Sequence, residues 1–425
     1  MDKRRVFVMT DISTLEAGKG EPDDTQSLVR FLLYANEIDP VGFAATYTVH
    51  TEGVNPDYIR QIIGCYAQVH RNLLRHDPGF PPAEKLLSGV CSGCAKPGLD
   101  KIGGESEAAR RILLAAEASE EPLWIIAWGG VTDLAMALRI AREEKDAEAL
   151  SLFIAKLRIY AINDQYDNCG PWIREQFPDL FYITNHRACR GMYRLGDQSL
   201  CSPAWIEEHL AKSPLINAYP VYRGGDIYVP FFGKVQGLKE GDSPSFLYLV
   251  KRGPGDPDHP EYGGWGGRFV IKSGSRHYFD ASDNWDGIFS EWASVFRYRA
   301  DVQADFALRS RWCLPDSPVL PYPELSVSAP AKLPAGEIVE LKAGLTFPPA
   351  EPVRYSWTCY SEAGSFKSGL FIKDPGQAAC RIMSDRMISK GGDAHIICRV
   401  SAGEDPAWIS YRRLILPVEA GNVRG

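Results

Sequence analysis

The sequence predicts an α/β protein: a mostly parallel sheet with helices on both faces, followed by a smaller β-sandwich. Residues 1–313 alternate short apolar runs with amphipathic helical patterns, which is typical of a parallel sheet with crossover helices. Residues 324–425 carry short alternating segments and no long helical pattern, which favours an immunoglobulin-like β-sandwich. The proline-rich stretch at 314–323 lies between them. We therefore predict two domains joined by a linker.

The elements follow from apolar periodicity and from the turn residues between the runs. Buried strands are short apolar runs, and helices repeat apolar residues at spacings of three and four, as Ile59, Ile62, Ile63, Tyr66 and Val69 do. In the first domain these patterns predict, in order, strand Val6–Thr10, helix Asp24–Asn36, strand Val41–Thr48, helix Pro56–Leu74, helix Ser106–Ala118, strand Leu123–Trp128, helix Thr132–Glu144 and strand Leu157–Ile162. In the second domain alternation predicts strands Glu337–Ala343, Val353–Cys359, Gln377–Ile382, His395–Val400 and Trp408–Val418.

Composition excludes several classes of protein. The chain has 425 residues, 45% of them hydrophobic, and a net charge of −7, which argues against intrinsic disorder. The negative net charge gives no indication of a basic surface that would bind nucleic acid or an anionic membrane. Apolar runs such as Leu123–Ala127 are far shorter than the ~20 residues of a membrane helix. The N-terminus runs directly into a strand pattern and shows no secretory signal. We expect a cytoplasmic protein without nucleic-acid or membrane partners.

Ten cysteines are a modest number for this length. Without an export signal we expect them to be reduced. Cys91 and Cys94 have metal-like spacing, but no second pair completes a zinc site. Cys359, Cys380 and Cys398 lie among predicted strands, where a disulfide would be plausible only in an exported relative.

The densest chemistry follows the first strand. Asp11 ends that strand, and Asp23 and Asp24 begin the next helix. The carboxyl end of a parallel strand is where ligands bind in such sheets. Clustered carboxylates repel one another unless a hard cation with oxygen ligands relieves the repulsion. One of the pair could simply cap the helix, but two facing a third favour a divalent cation.

Three motifs resemble those of nucleoside hydrolases. They are Thr10-Asp11 with Asp23-Asp24, the glycine-rich turn Trp128–Ala135, and the later turn Gly241–Pro244. More closely, the chain resembles the nucleoside-hydrolase-like domain family of cellulose-binding proteins, which also carries a C-terminal sandwich. The matching segments are Glu21–Arg30, Gly170–Arg174, Phe177–Leu180, Gly263–Arg268, Asp305–Arg309, Tyr355–Trp357 and Tyr360–Gly364.

The resemblance implies a site and a cofactor, Ca²⁺. Asp11 would be a metal ligand and the base that activates water, and Asp24 a bidentate ligand. The Trp128 carbonyl and the Asp242 carboxylate would complete the protein ligands, while Asp23 would hold a sugar hydroxyl. Such an ion favours attack by water on the anomeric carbon, through an oxocarbenium-like transition state.

Some positions depart from the resemblance. The segment 12–22 reads as an insertion over the site, and its Glu21 could replace a ligand or the base. An ungapped alignment would place Lys19 at the base position. His50 lies where an asparagine is expected and could be the acid for the leaving group. Gly241 lies where a histidine is expected, so we expect a leaving group other than a nucleobase.

Further candidates for substrate binding follow the fourth strand or adjoin glycines. The polar ones suit sugar hydroxyls, although such residues also favour turns, and the aromatic ones could stack on a sugar or merely pack. The polar set is Asn163, Asp164, Asp167 and Asn168, and the aromatic set is Trp172 and Trp265.

The sequence thus favours a calcium-dependent hydrolase of an N- or O-glycosidic bond in a saccharide or nucleoside-like molecule. An alternative is a non-catalytic carbohydrate-binding protein, for a cellulose-like ligand, with a structural cation. A third is an oligomer mediated by the sandwich, with a vestigial first domain. The expected partner is a small-molecule or oligosaccharide substrate, and a homodimer remains open.

Overall fold

A computed structural model describes residues 3–17, 22–101, 104–222, 235–272, 275–403 and 408–421. It confirms the predicted fold class, a mostly parallel sheet with helices followed by antiparallel strands arranged as a sandwich. The described helices are α1 Asp23–Leu32, α2 Pro56–His76, α3 Ala83–Ser88, α4 Glu107–Glu117, α5 Thr132–Glu144, α6 Ala147–Lys156, α7 Cys169–Gln176, α8 Pro203–His209, α9 Pro244–Leu247, α10 Ala293–Phe296 and α11 Arg299–Arg311.

The described strands fall into the large sheet, a small hairpin and the sandwich. Those of the large sheet are β1 Arg4–Thr10, β2 Ile38–Ala45, β3 Val90–Ser92, β4 Leu123–Ala127, β5 Leu157–Ile162, β6 Phe181–Asn185, β7 Phe269–Ile271 and β8 His277–Asp280. The hairpin is β9 Asp283–Trp285 and β10 Ile288–Ser290. The sandwich strands are β11 Leu325–Ser328, β12 Ile338–Leu345, β13 Val353–Cys359, β14 Leu370–Lys373, β15 Ala379–Ser384, β16 Gly392–Ala402 and β17 Trp408–Val418.

The large sheet brings three strand ends to one edge. Its described strands run in the order β3-β2-β1-β4-β5-β6-β8-β7, all parallel except β7. Strands β1, β4 and β5 are neighbours, so the residues that follow them, Asp11, Trp128 and Asn163, leave the same edge. That edge is where an open α/β sheet binds its ligands.

Helix α1 and strand β2 end several residues earlier than their patterns suggest. Helix α1 ends at Leu32 because the next backbone N–H groups tighten to i−3 acceptors, Leu33 to Arg30 and Tyr34 to Phe31, both at 2.9 Å. Strand β2 ends at Ala45 because its pairing partner β1 ends at Thr10. The polar segment after β2 therefore lies outside the sheet.

The second domain packs two antiparallel sheets, β11-β12-β15-β14 and β13-β16-β17, around a shared core. Trp357 is buried in that core, with Cys380 and Cys398 from opposite sheets. All ten cysteines lie within the described residues and are free thiols. That they are reduced in the cell stays a prediction.

The sandwich packs directly on the first domain. Tyr411 of β17 lies in the same hydrophobic core as the residues of the large sheet. Its backbone N–H donates to the Arg252 carbonyl at 2.9 Å. The Asp301 carboxylate accepts from Arg399 at 2.6 and 2.7 Å. Tyr322, in the predicted linker, stacks between Trp312 and Trp408. The linker is therefore packed rather than extended into solvent.

No helix in the described part of the chain is both long and apolar enough to span a bilayer.

His395 makes stability depend on pH. It is 3% exposed at the domain interface, where Arg413 lies 3.0 Å from its Nδ1. Burial, reinforced by the Arg413 charge, lowers the pKa of His395 to about 4. The unfolded chain, with an ordinary histidine pKa near 6.5, then binds more protons between pH 6.5 and 4. The free energy of unfolding that neutral His395 contributes is therefore fully present well above pH 6.5. It is lost as the pH falls below 6.5, by up to about 2 kcal/mol at pH 5.

The measurement is the free energy of unfolding from pH 8 to 5, for wild type and His395→Gln. We expect the variant to show a shallower decline below pH 6.5. Burial also lowers the pKa of His76 to about 4. His76 should therefore retain part of the pH dependence of stability in the variant. An equal slope in both proteins would contradict this role of His395.

Candidate active site

A cavity of about 50 Å³ opens at the carboxyl edge of β1, β4 and β5. We call it the acidic cavity, because four of its lining residues are aspartates. Its described lining is Asp11, Asp23, Asp24, Trp128, Ile162, Asn163, Gln165, Cys189, Arg190, Tyr193, Lys239, Gly241 and Asp242. It therefore brings together every predicted metal ligand, together with the predicted sugar ligands Asp23 and Asn163.

Helix α1 directs its first two residues into this cavity. The N-cap residue is Pro22, and it makes no side-chain capping bond, so neither Asp23 nor Asp24 is the cap residue. Asp24 is 6% exposed and accepts a hydrogen bond from the Thr10 hydroxyl at the end of β1. A cap role thus does not explain the acidic pair, although the helix dipole favours both charges.

Asp242 brings a further carboxylate close to this pair. One carboxylate oxygen from each of Asp23, Asp24 and Asp242 lies within 4.8 Å of the others. Asp242 is 3% exposed, and its Oδ2 has no hydrogen-bond partner among the described residues. Burial, followed by repulsion from Asp24, Asp23 and Asp11, raises the pKa of Asp242 well above its usual range. This donor set of crowded oxygens fits a hard divalent cation such as Ca²⁺.

Asp11 lies beside the glycine turn after β4. The phenol of Tyr166 donates a hydrogen bond to Asp11 Oδ2. A Cβ on Gly129 would lie 2.5 Å from Asp11 Cγ and Oδ1, closer than real side chains approach. The turn must therefore carry glycine for Asp11 to occupy this place. Tyr166 itself adopts a positive φ of 73°, a strained conformation of the kind that clusters at functional sites.

Trp128, a predicted ligand, is connected through Ser245 to a second predicted ligand, Asp242. Its backbone carbonyl accepts from Gln165 Nε2 at 2.6 Å, which leaves a second lone pair for a metal. Its buried indole N–H donates to the Ser245 hydroxyl at 2.8 Å. Ser245 in turn donates to the Asp242 carbonyl at 2.6 Å. The β4–α5 turn and the Asp242 turn are thereby held in register.

Several residues of the acidic cavity are absent from the sequence prediction. Lys239 Nζ lies 3.3 Å from Asp23 Oδ2 and offsets part of the negative charge. Arg190 reaches the cavity from the 3₁₀ turn Ala188–Met192. Gln165 and Tyr166 belong to the polar segment after β5, but the sequence does not indicate which of its side chains turn inward. No sequence signal identifies Lys239 or Arg190, which join the site only through tertiary packing.

Two predicted sugar ligands lie elsewhere, and we correct them. Asp164 pairs with Arg174 and accepts from the Tyr182 hydroxyl beneath α7. Asp167 accepts from the Gly98 N–H at 2.8 Å and from the Cys169 N–H at 2.7 Å, which anchors the start of α7. Both carboxylates are occupied in structural contacts, so neither is available to the cavity.

The remaining candidates are also outside the described lining. Asn168 is the exposed N-cap residue of α7 and makes no capping bond. Trp172 packs edge-on against Phe177, and Trp265 is 1% exposed behind Tyr411 of the sandwich. Trp265 is therefore too buried to stack on a sugar, whereas sugar stacking by the half-buried Trp172 stays a prediction.

Two further groups of candidates lie in loops. His50 follows β2 and is half-buried, but it is not part of the described lining of the acidic cavity. Glu21 lies outside the described residues, as does Lys19. Their predicted roles as acid, ligand or base therefore stay predictions.

Gly129 offers a direct test of this geometry. We expect Gly129→Ala to displace Asp11, because the new methyl group overlaps its carboxylate. The effect should be a severalfold loss of metal affinity with the fold retained, measured by calcium titration and circular dichroism. Gly64→Ala, whose Cβ would meet nothing within 4 Å, is the matched control. Unchanged affinity in Gly129→Ala would contradict the placement of Asp11.

The fold and the acidic cavity define a nucleoside-hydrolase-like protein. Residues 5–269 match the family described as cellulose-binding Sde182, nucleoside hydrolase-like domain. Residues 338–418 match the C-terminal domain of cellulose-binding protein Sde0182. The chain belongs to this family, as the sequence predicts.

One solved structure is similar over almost the whole chain. It is a nucleoside hydrolase-related hypothetical protein from Saccharophagus degradans, described as associated with carbohydrate metabolism. The TM-score is 0.79 at 27% identity, covering 98% of this chain and 100% of that one. A cohesin module from Clostridium perfringens covers 23% of this chain and 98% of its own, with 14% identity and a TM-score of 0.14, which is too low to inform the fold. The curated proteins give no match.

Proposed function

We propose that the chain is a calcium-dependent hydrolase of an N- or O-glycosidic bond in a saccharide or nucleoside-like substrate. The observation that carries the proposal is the crowding of Asp23, Asp24 and Asp242 within 4.8 Å, with Asp242 buried and its Oδ2 lacking a partner. Such an arrangement is costly for the metal-free protein and suits a bound cation. The family and the similar structure support a carbohydrate-related substrate.

The predicted ligands of the acidic cavity have separate roles in this proposal. Asp11, Asp24 and Asp242, with the Trp128 carbonyl, would hold Ca²⁺. A bound calcium ion lowers the pKa of a coordinated water and orients vicinal sugar hydroxyls. Asp11 accepts the proton of the attacking water, and the Tyr166 phenol fixes the orientation of that carboxylate.

Substrate contacts would come from the rim of the same cavity. Asp23 accepts a hydrogen bond from a sugar hydroxyl, and its ion pair with Lys239 holds the carboxylate in place. Asn163, at the end of β5, offers an amide to a second hydroxyl. Fixing the sugar beside the base supplies the proximity that such hydrolysis needs.

The test is a hydrolysis screen with nucleosides and aryl glycosides, run with chelator-treated protein before and after calcium is restored. We expect turnover of at least one substrate class that disappears with chelator and returns with calcium. Turnover that is indifferent to the chelator would overturn the calcium mechanism. Calcium binding without turnover would instead favour the second candidate below.

That second candidate is a non-catalytic carbohydrate-binding protein with a structural cation. The specific observation in its favour is an apolar row on the outer face of the sandwich. Register aligns Ile338, Met383 and Phe371 across β12, β15 and β14, with Ile338 and Phe371 66% and 63% exposed. An exposed aromatic ring can stack on a sugar. Co-sedimentation with insoluble cellulose, compared between wild type and Phe371→Ala, tests it.

A further inference from the structure

Helix α1 contacts the acidic cavity at its first turn and the Asp242 turn further along. Gln26 and Arg30 are four residues apart and share one face of the helix. Gln26 Nε2 donates to the Pro220 and Gly237 carbonyls at 2.6 and 2.8 Å. Its Oε1 accepts from the Lys239 backbone N–H at 2.8 Å. The segment leading to Asp242 is thus docked on the helix that bears Asp23 and Asp24.

Glu240 continues this docking through a buried ion pair. Arg30 Nε lies 2.7 Å from Glu240 Oε2, and both side chains are fully buried. The Tyr219 hydroxyl donates to Glu240 Oε1 at 2.5 Å, and the Ser243 hydroxyl donates to Oε2 at 2.7 Å. Arg30 also donates to Gln303 at 2.6 Å. Glu240 is therefore held by Arg30 of α1, by Tyr219 and by Ser243, the residue that follows Asp242.

Asp242 depends on this support for its position. Its Oδ2 makes no hydrogen bond to the described residues. What fixes it is the backbone around it. The Ser245 hydroxyl donates to the Asp242 carbonyl, and the hydrogen bond from Ser243 to Glu240 joins the residues on either side of Asp242. Without that support, repulsion from the neighbouring aspartates would push the carboxylate away.

We propose that Arg30 and Glu240 are positioning residues that lock the Asp242 turn onto α1, so that the carboxylates of both elements form one preorganised calcium site. This rests on the proposed function, since it assumes that the acidic cavity takes calcium. Outer partners of this kind commonly set metal affinity without touching the metal.

The experiment is calorimetric calcium titration of chelator-stripped wild type, Glu240→Gln and a control, Asp305→Asn. Asp305 is an equally buried acid paired with Arg309 at 2.9 Å, four residues along α11. We expect Glu240→Gln to bind calcium about 10- to 100-fold more weakly. Asp305→Asn should retain the wild-type affinity even where its melting temperature falls.

A double variant separates positioning from stability. Arg30→Met with Glu240→Leu removes both buried charges, which commonly restores or raises stability. We expect it to keep the weak calcium affinity, because the bonds to Tyr219 and Ser243 are lost with the carboxylate. Tyr219→Phe, which deletes one hydroxyl, is the milder variant if Glu240→Gln fails to fold, and it should weaken binding in the same direction.

The outcomes distinguish the two proposals. Wild-type affinity in Glu240→Gln or in the double variant, or equal losses in Glu240→Gln and Asp305→Asn, would overturn the positioning role while the calcium site stands. Absence of calcium binding in wild type would overturn the calcium site itself, and the positioning role with it.

Discussion

Replacing Asp242 with asparagine should greatly weaken calcium binding and, at the same time, stabilise the metal-free protein. The carboxylate is 3% exposed, faces three other aspartates and has a pKa raised well above its usual range. A neutral amide of the same shape relieves that repulsion, so we expect the melting temperature without calcium to rise by roughly 2 °C. Losing a charged ligand should lower calcium affinity by about two orders of magnitude.

The measurement is differential scanning fluorimetry with chelator and with calcium. Wild type should gain thermal stability from calcium, since a ligand that binds only the folded state stabilises it. Asp242→Asn should start higher and gain almost nothing. Asp133→Asn is a matched control, because Asp133 is 1% exposed with a pKa raised by burial, yet it lies outside the described lining of the acidic cavity. An Asp242 variant that melts lower and still responds to calcium would contradict this reading.

Replacing Asp11 with asparagine should remove turnover while much of the substrate affinity remains. The amide keeps the shape of the side chain and its place beside Gly129, but it cannot accept a proton from water. Loss of a general base costs about 10²- to 10⁴-fold in rate. We expect kcat to fall by that factor and KM to change little, for whichever substrate the screen identifies.

Tyr166→Phe gives the comparison for Asp11. It leaves the carboxylate and deletes only the hydroxyl that donates to it, so kcat should fall less than in Asp11→Asn. If Asp11→Asn retained wild-type kcat, the base would have to be another residue, and Glu21 would become the next variant to make.

Strands β1, β2, β4 and β5 and helices α1, α2, α4 and α5 could be predicted because each carries its own apolar pattern. The carboxyl edge follows from that alternation, since neighbouring parallel strands must end together. This is why the sequence alone places Asp11, Trp128 and Asn163 at one edge of the sheet. The acidic pair at the start of the next helix added Asp24, and the family motifs added Asp242, which is far away in sequence and meets Asp24 in the cavity.

The failures share a physical cause, because proximity to an edge does not fix the direction of a side chain. Asn163, Asp164 and Tyr166 all have positive φ, so the loop after β5 does not alternate in a readable way. It turns Asp164 beneath α7 and Tyr166 toward Asp11. Trp265 is covered by the sandwich, and no local sequence pattern predicts this contact. Lys239 likewise reaches Asp23 through tertiary packing alone.

Calcium titration of the chelator-stripped wild-type chain is the most direct measurement. The crowded aspartates of the acidic cavity predict saturable binding of one ion per chain, accompanied by a higher melting temperature. Asp24→Ala should remove this binding, because Asp24 lies between the Thr10 hydroxyl and the other carboxylates. Wild-type protein that binds no calcium would contradict the proposed site and leave carbohydrate binding without metal chemistry as the better interpretation.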